Sequence, residues 1–326
     1  MTTPPHRIDV HHHQVTDEYR GALAKHNIGS AGGRDLPDWS PSEALALMDR
    51  HGIGTTILSV STPGTHFGND AEARTLARQS NEYSAGLVQD HPTRFGFFAT
   101  VPLPDVEGAT AEAIFALDHL GADGVVLLSS NNDGSYLGDP RFDELMAELD
   151  ARGAVVFIHP SEPAFIDAIH VDIPTFAMEF TFDTTRAAFN LAYTGTLEKY
   201  PNISYILSHA GGTVPYLVAR FDLLWFTDDA LAARAPKGGS AYLRDLYYDT
   251  ALSANPHAFS SLSTLVGADH ILFGSDYPFA PEIVTGMTVD GLAASHFSDD
   301  ERSAIERGNA VRLLPTLARR LGETTI

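Results

Sequence analysis

With 326 residues, 44% of them hydrophobic and 19% charged, the chain is too long for a minimal domain and too apolar to be mostly disordered. Its formal charge of −21 repels phosphate backbones and anionic lipid, which argues against nucleic acid and membrane surfaces as partners; an acidic substrate would need a metal or a local cation to meet it. It contains no cysteine, so disulfides, thiolate metal sites and a cysteine nucleophile are excluded.

No apolar run reaches the roughly 18 residues of a membrane span, and the N-terminus lacks a signal pattern, so the expected setting is cytoplasmic. In chain order, the first apolar run is 7–10, leading into Asp9-Val10-His11-His12-His13. After a long segment, 14–41, comes a helical pattern at 42–51, with Ser40 or Ser42 as cap and Gly52 as stop. Strands are then expected at 55–59, 95–100, 124–128, 155–159, 203–207, 246–249 and 271–274. Helical patterns occupy 70–90, 108–120, 140–152, 182–200, 216–227 and 299–314. Most strands are continuously apolar, as strands buried on both faces should be. Eight strands alternating with seven helical patterns predict an α/β fold, a parallel (β/α)8 TIM barrel forming a single domain over 1–326, with insertions after strands 1 and 5. The alternative, an open doubly wound sheet, is weakened because no glycine-rich phosphate fingerprint follows any strand.

Polar groups follow several of these strands. Side chains alternate along a strand, so His11 and His13 project one way and His12 the other; two imidazoles on one side suit one metal ion. His159 ends the fifth strand, where Pro160 stops the ladder. His209 follows the sixth in Ser208-His209-Ala210-Gly211-Gly212, and Asp276 follows the eighth in Gly274-Ser275-Asp276-Tyr277-Pro278. Any one of these suits a hydrogen-bonded structural role equally well. Together, in a closed barrel, they meet at one mouth. Two or three imidazoles with one carboxylate suit zinc or a similar divalent ion.

The sequence resembles the amidohydrolase superfamily, and within it the metal-dependent non-oxidative decarboxylases typified by aminocarboxymuconate-semialdehyde decarboxylase. The resemblance covers nearly the whole chain. It rests, in order, on DVHHH (9–13), FIHP (157–160), SHAGGTVPYLVAR (208–220), FGSDYPF (273–279) and GNAVRLL (308–314). It implies that His11, His13, His159 and Asp276 hold one divalent ion, zinc ahead of manganese, and that His209 activates water or moves a proton. It also implies that Arg220, eleven residues after His209, reaches across a dimer interface to a neighbour's substrate carboxylate, so that a homodimer or higher homo-oligomer is expected; the alternative is a surface helix arginine or one paired with Asp222 or Asp245. Two-metal members bridge their ions with a carboxylated lysine at the end of strand four. Here that end reads Leu127-Leu128-Ser129-Ser130, and the three lysines, Lys25, Lys199 and Lys237, lie elsewhere. One metal is therefore expected.

Phe279 is a candidate wall for a planar substrate, Asp183 a candidate helix cap, and Arg186 a structural partner. Tyr216 and Trp225 are read as core or interface, and His51, His91, His119, His257, His270 and His296 as structural or exposed. The leading expectation is decarboxylation of a small aromatic carboxylate of the ortho-hydroxybenzoate type, such as 6-methylsalicylate, with His209 or Asp276 delivering the proton. The alternative is a metal-dependent hydrolase of a lactone, ester or amide built from the same parts. A third possibility is a barrel that binds a ligand without catalysis, against which the complete ligand set argues.

Overall fold

A computed structural model describes residues 6–323; the outermost positions of the expected 1–326 domain lie outside the described residues. Eight parallel strands form one sheet in sequence order: β1 (Arg7–His13), β2 (Ile53–Ser59), β3 (Phe95–Thr100), β4 (Gly124–Leu128), β5 (Val155–His159), β6 (Ser204–Leu207), β7 (Tyr247–Asp249) and β8 (Ile271–Leu272). The last strand returns to the first. Val10 N–H donates to Phe273 O (3.0 Å), Asp276 N–H to His11 O (2.8 Å) and His13 N–H to Tyr277 O (2.7 Å), which brings the sheet close to a full barrel. Flanking helices complete a (β/α)8 fold. No helix among the described residues is long and apolar enough to cross a membrane.

The core has two parts, as buried strands with two apolar faces require. One lies between the strands and the helices. The other fills the barrel interior, where Ile8, Val10, Ile57, Phe98, Val126, Val155, Phe157, Ile206 and Leu272 pack onto Leu314, Leu317 and Ala318 near the C-terminus. This apolar plug sits at the N-terminal ends of the strands. Asp123, just before β4, is buried and paired with Arg320 at 2.7 Å, tying the last helix to the barrel floor.

Local signals explain the better-formed helices. In Asp70–Asp90, Asn69 accepts from Glu72 N–H, and Ala73, Leu76, Ala77, Ser84, Ala85 and Val88 form a buried stripe at helical spacing. Helix Pro41–Arg50 starts on Ser40, which accepts from Glu43 N–H, so Ser40 rather than Ser42 is the cap. The expected helix at 182–200 instead begins at Glu179 and breaks after Tyr193, where Gly195 adopts φ +83°. The pattern at 299–314 is interrupted by a wide π turn, Ala304–Gly308.

Several elements exceed the expectation. The 14–41 segment holds a helix, Asp17–Lys25, and a small hairpin of Ser30–Ala31 with Arg34–Asp35. Helices Pro256–Leu265 and Glu282–Ala293 were also not expected. The hairpin clasps the loop after β5. Phe176 N–H donates to Gly32 O (3.0 Å), and the Arg34 guanidinium lies 4.4 Å from the Phe176 ring centre. Gly32 has φ +61°, and a Cβ there would come within 2.6 Å of the Phe180 ring, so glycine is required by both conformation and space.

Candidate active site

Inward-facing rows of apolar side chains end in polar ones at the C-terminal rim. Ile57 is followed two residues on by Ser59, Phe157 by His159, and Leu272 by Gly274 and then Asp276. The first strand needs an extra device. Ile8 and Val10 face the inner core, so strict alternation would turn His12 inward. Instead the register shifts between Asp9 and His12, where three steps on β1 match two on β2. This bulge flips the alternation and brings His11 and His13 inward. His12 packs on Tyr277 and lies 3.4 Å from Asp9.

One ligand atom from each of His11, His13, His159 and Asp276 falls within 4.8 Å of the others, and all four residues are buried. His11 Nε2 and His13 Nε2 are 3.0 Å apart and lie 3.2 and 3.1 Å from Asp276 Oδ1. The outer ring nitrogens decide which way the lone pairs point. His159 Nδ1 contacts Pro160 O (2.8 Å), which can only accept, and His11 Nδ1 contacts the Asp249 carboxylate (2.7 Å). His13 Nδ1 lies 2.9 Å from Ser59 Oγ, whose own proton goes to His12 O. All three Nδ1 atoms therefore carry hydrogen, and all three Nε2 atoms face one point with a carboxylate, so that each offers its lone pair there once its ring is neutral. That donor set fits a single divalent ion with coordination positions left open.

The electrostatics agree. Burial works against charge on His11, but Asp249 and then Asp276 outweigh it and raise the ring to about 10. Burial lowers His13 to about 4 despite Asp276, with repulsion from His11 and His12 adding to the shift. His159 is pushed well below its ordinary value by burial and by His13 and His11. Burial alone would raise Asp276, yet the His11, His13 and His209 rings hold it well below the usual carboxylate range. The cluster favours one positive charge beside Asp276. A dication assumes that role with release of a proton.

His209 stands beside this set. Its Nε2 lies 3.5 Å from Asp276 Oδ2, and neither ring nitrogen has a hydrogen-bond partner among the described residues, although the residue is only 5% exposed. Its backbone is left-handed (φ +55°), as are Ala210 (+54°), Leu252 (+53°) and Asp276 (+63°). Four of the five described non-glycine residues with positive φ thus gather at this rim, and such conformations cost on the order of 1–3 kcal/mol each, held here by the surrounding bonds.

A cavity of about 380 Å3 opens onto His159, His209 and Asp276, a size suited to a small molecule. Phe176, Phe180, Phe279, Leu252 and Val284 give it apolar walls; Ser61, Thr62, Thr181 and Ser253 add hydroxyls. Phe279 lies edge-on to His13, with ring centres 5.6 Å apart. Arg34 is the one arginine or lysine in the lining among the described residues, and nothing in 14–41 ties it to a strand end, so the sequence alone does not point to it. Arg220 is exposed on helix Val214–Thr227 and does not line its own chain's cavity. On that helix Tyr216, Leu223 and Phe226 are 83%, 58% and 73% exposed, so Tyr216 is not core. Asp183 is a buried acceptor inside its helix rather than a cap; Ser129, Ser130 and Tyr136 donate to it.

Residues 8–316 match the amidohydrolase family. The chain belongs to that family. This amidohydrolase is 38% identical to a decarboxylase of Aspergillus niger, over 95% of this chain and 87% of the relative. It is 36% identical to the 6-methylsalicylic acid decarboxylase of Penicillium expansum, over 95% and 97% of the two chains. A crystal structure of a dihydroxybenzoic acid decarboxylase from a Polaromonas species, with bound manganese and the inhibitor 2-nitroresorcinol, superposes with a TM-score of 0.80 at 26% identity, covering 95% and 97% of the chains.

Proposed function

We propose that this amidohydrolase is a mononuclear metal-dependent, non-oxidative decarboxylase of a small ortho-hydroxybenzoate-type acid, with 6-methylsalicylate the first substrate to test. The observation that carries the reading is the convergence of three imidazole Nε2 atoms and one carboxylate beside an imidazole with no hydrogen-bond partner among the described residues, in a cavity with apolar walls. The decarboxylase relatives support the reaction class. His11, His13, His159 and Asp276 would hold the ion. The donor set suits zinc and manganese alike, and manganese is the ion in the Polaromonas relative.

When bound, the ion supplies Lewis-acid polarisation of the carboxylate and its neighbouring hydroxyl. The chain's own residues do the rest. Phe279 and Phe180 confine the ring, and Arg34 supplies the positive charge that a protein of −21 needs to admit an anion. His209 delivers a proton to the ring carbon bearing the carboxylate, with Asp276 as the other candidate donor. The C–C bond then breaks, carbon dioxide leaves, and the electron pair of that bond restores the aromatic ring.

Purified protein loaded with zinc or manganese is expected to release carbon dioxide from 2-hydroxybenzoates, most readily with a small substituent at position 6. Hydrolysis of lactones or esters without carbon dioxide release would replace the assignment. Arg34→Gln should raise KM roughly tenfold while leaving kcat nearly unchanged, because it removes attraction common to ground and transition states. We further propose a homodimer in which the exposed apolar face of helix Val214–Thr227 is covered by a second copy and Arg220 approaches the partner's cavity. Sedimentation as a dimer, with a raised KM for Arg220→Ala, is the expected result; a monomer of full activity would remove Arg220 from the site.

A further inference from the structure

Asp249 ends β7 fully buried and outside the cavity lining. Its two oxygens serve two different parts of the site. Oδ2 accepts from His11 Nδ1 at 2.7 Å. Oδ1 accepts from the main-chain N–H of His209 (2.9 Å) and of Ala251 (3.0 Å). The first contact fixes the proton on the outer nitrogen of His11, so that Nε2 offers its lone pair to the ligand cluster. The second pins the residue whose left-handed backbone aims the His209 ring toward Asp276. Gly274 lets this arrangement close up: a Cβ there would sit 2.9 Å from His11 Cβ and 3.2 Å from Asp249 Cβ.

We infer that Asp249 is a positioning residue that sets, from one carboxylate, both the metal-binding tautomer of His11 and the placement of His209. The inference rests on the metal-site reading above. It treats the ligand and the acid/base as one mechanical unit rather than as neighbours.

Asp249→Asn separates this role from simple packing. The side-chain amide keeps its shape, and its carbonyl oxygen stays with the two main-chain N–H donors, since the NH2 group would repel them. The NH2 group then faces His11 Nδ1 and forces that nitrogen to accept, moving the ring proton to Nε2, into the cluster. The expected result is a folded protein whose melting temperature falls with the loss of the buried charge pair, and metal affinity, measured by competition with a chelator, lower by about 10–100-fold. Unchanged metal affinity, with or without a lowered melting temperature, would overturn the inference. A second measurement needs no variant. In the zinc-loaded parent, the His11 ring should show by nitrogen-15 NMR a slowly exchanging, hydrogen-bonded proton on Nδ1; a proton on Nε2, or none on Nδ1, overturns it. If the parent binds neither zinc nor manganese, the metal-site reading fails instead.

Discussion

Alanine at His11, His13, His159 or Asp276 should strip the protein of metal and abolish turnover, because each change removes one of four converging donors. Metal content by elemental analysis and carbon dioxide release are the two readouts. The four variants should differ in stability. His11→Ala leaves the Asp249 carboxylate buried beside an empty space, and stranding one member of a buried charged pair costs on the order of 3–5 kcal/mol. His159→Ala strands only a backbone carbonyl, and its melting temperature should fall less. His12→Ala is the control. Its ring faces Tyr277 and Asp9 on the opposite side of β1, so metal should be retained. Loss of metal from His12→Ala as complete as from His11→Ala would mean that the strand faces are assigned the wrong way round.

His209→Asn should keep its metal and its KM while kcat falls by about 10²–10⁴, the usual contribution of a positioned acid or base. Asparagine is the right replacement for a backbone reason. Residue 209 has φ +55°, a conformation asparagine tolerates better than most residues, so the main-chain bond to Asp249 can survive the change. Metal stoichiometry, melting temperature and single-turnover rate on this one protein separate three roles. Loss of metal alongside activity would make His209 a fifth ligand. Destabilisation with normal turnover in the folded fraction would make it a core histidine. Full activity with full metal would leave Asp276 as the proton donor.

The barrel was legible because its strands are continuously apolar and its best helices carry both a cap and a stripe, as Asn69 and Ala73–Val88 illustrate. The four candidate ligands were legible because each follows an apolar strand, a one-dimensional signal. Asp249 carries the same signal, a carboxylate after Tyr247-Tyr248, yet its partner lies 238 residues away in sequence and only the closed sheet brings the two together. The bulge in β1 left no mark that pattern reading could use, since alternation fixes which histidines share a face but not which face turns inward. Helix Glu282–Ala293 was missed because its apolar residues run round the whole cylinder, with Ile283 and Met287 exposed, so no stripe stands out. The hairpin carrying Arg34 is two residues per strand and is held by contacts with Phe176 and Phe180, remote in sequence.

That hairpin constrains how the specificity of this enzyme can be changed. A Cβ on Gly32 would clash with the Phe180 ring at 2.6 Å, and one on Gly33 would press on Pro174 at 3.1 Å, so a side chain on either glycine would push against the facing segment. The roof of the cavity is thus a matched pair. Grafting a relative's 30–35 turn, or its 160–178 loop, alone would break the fit of the other half and displace Phe176 and Arg34 together. Substrate range should therefore shift through paired exchanges of both segments, and libraries that randomise one while holding the other fixed should return mostly inactive variants.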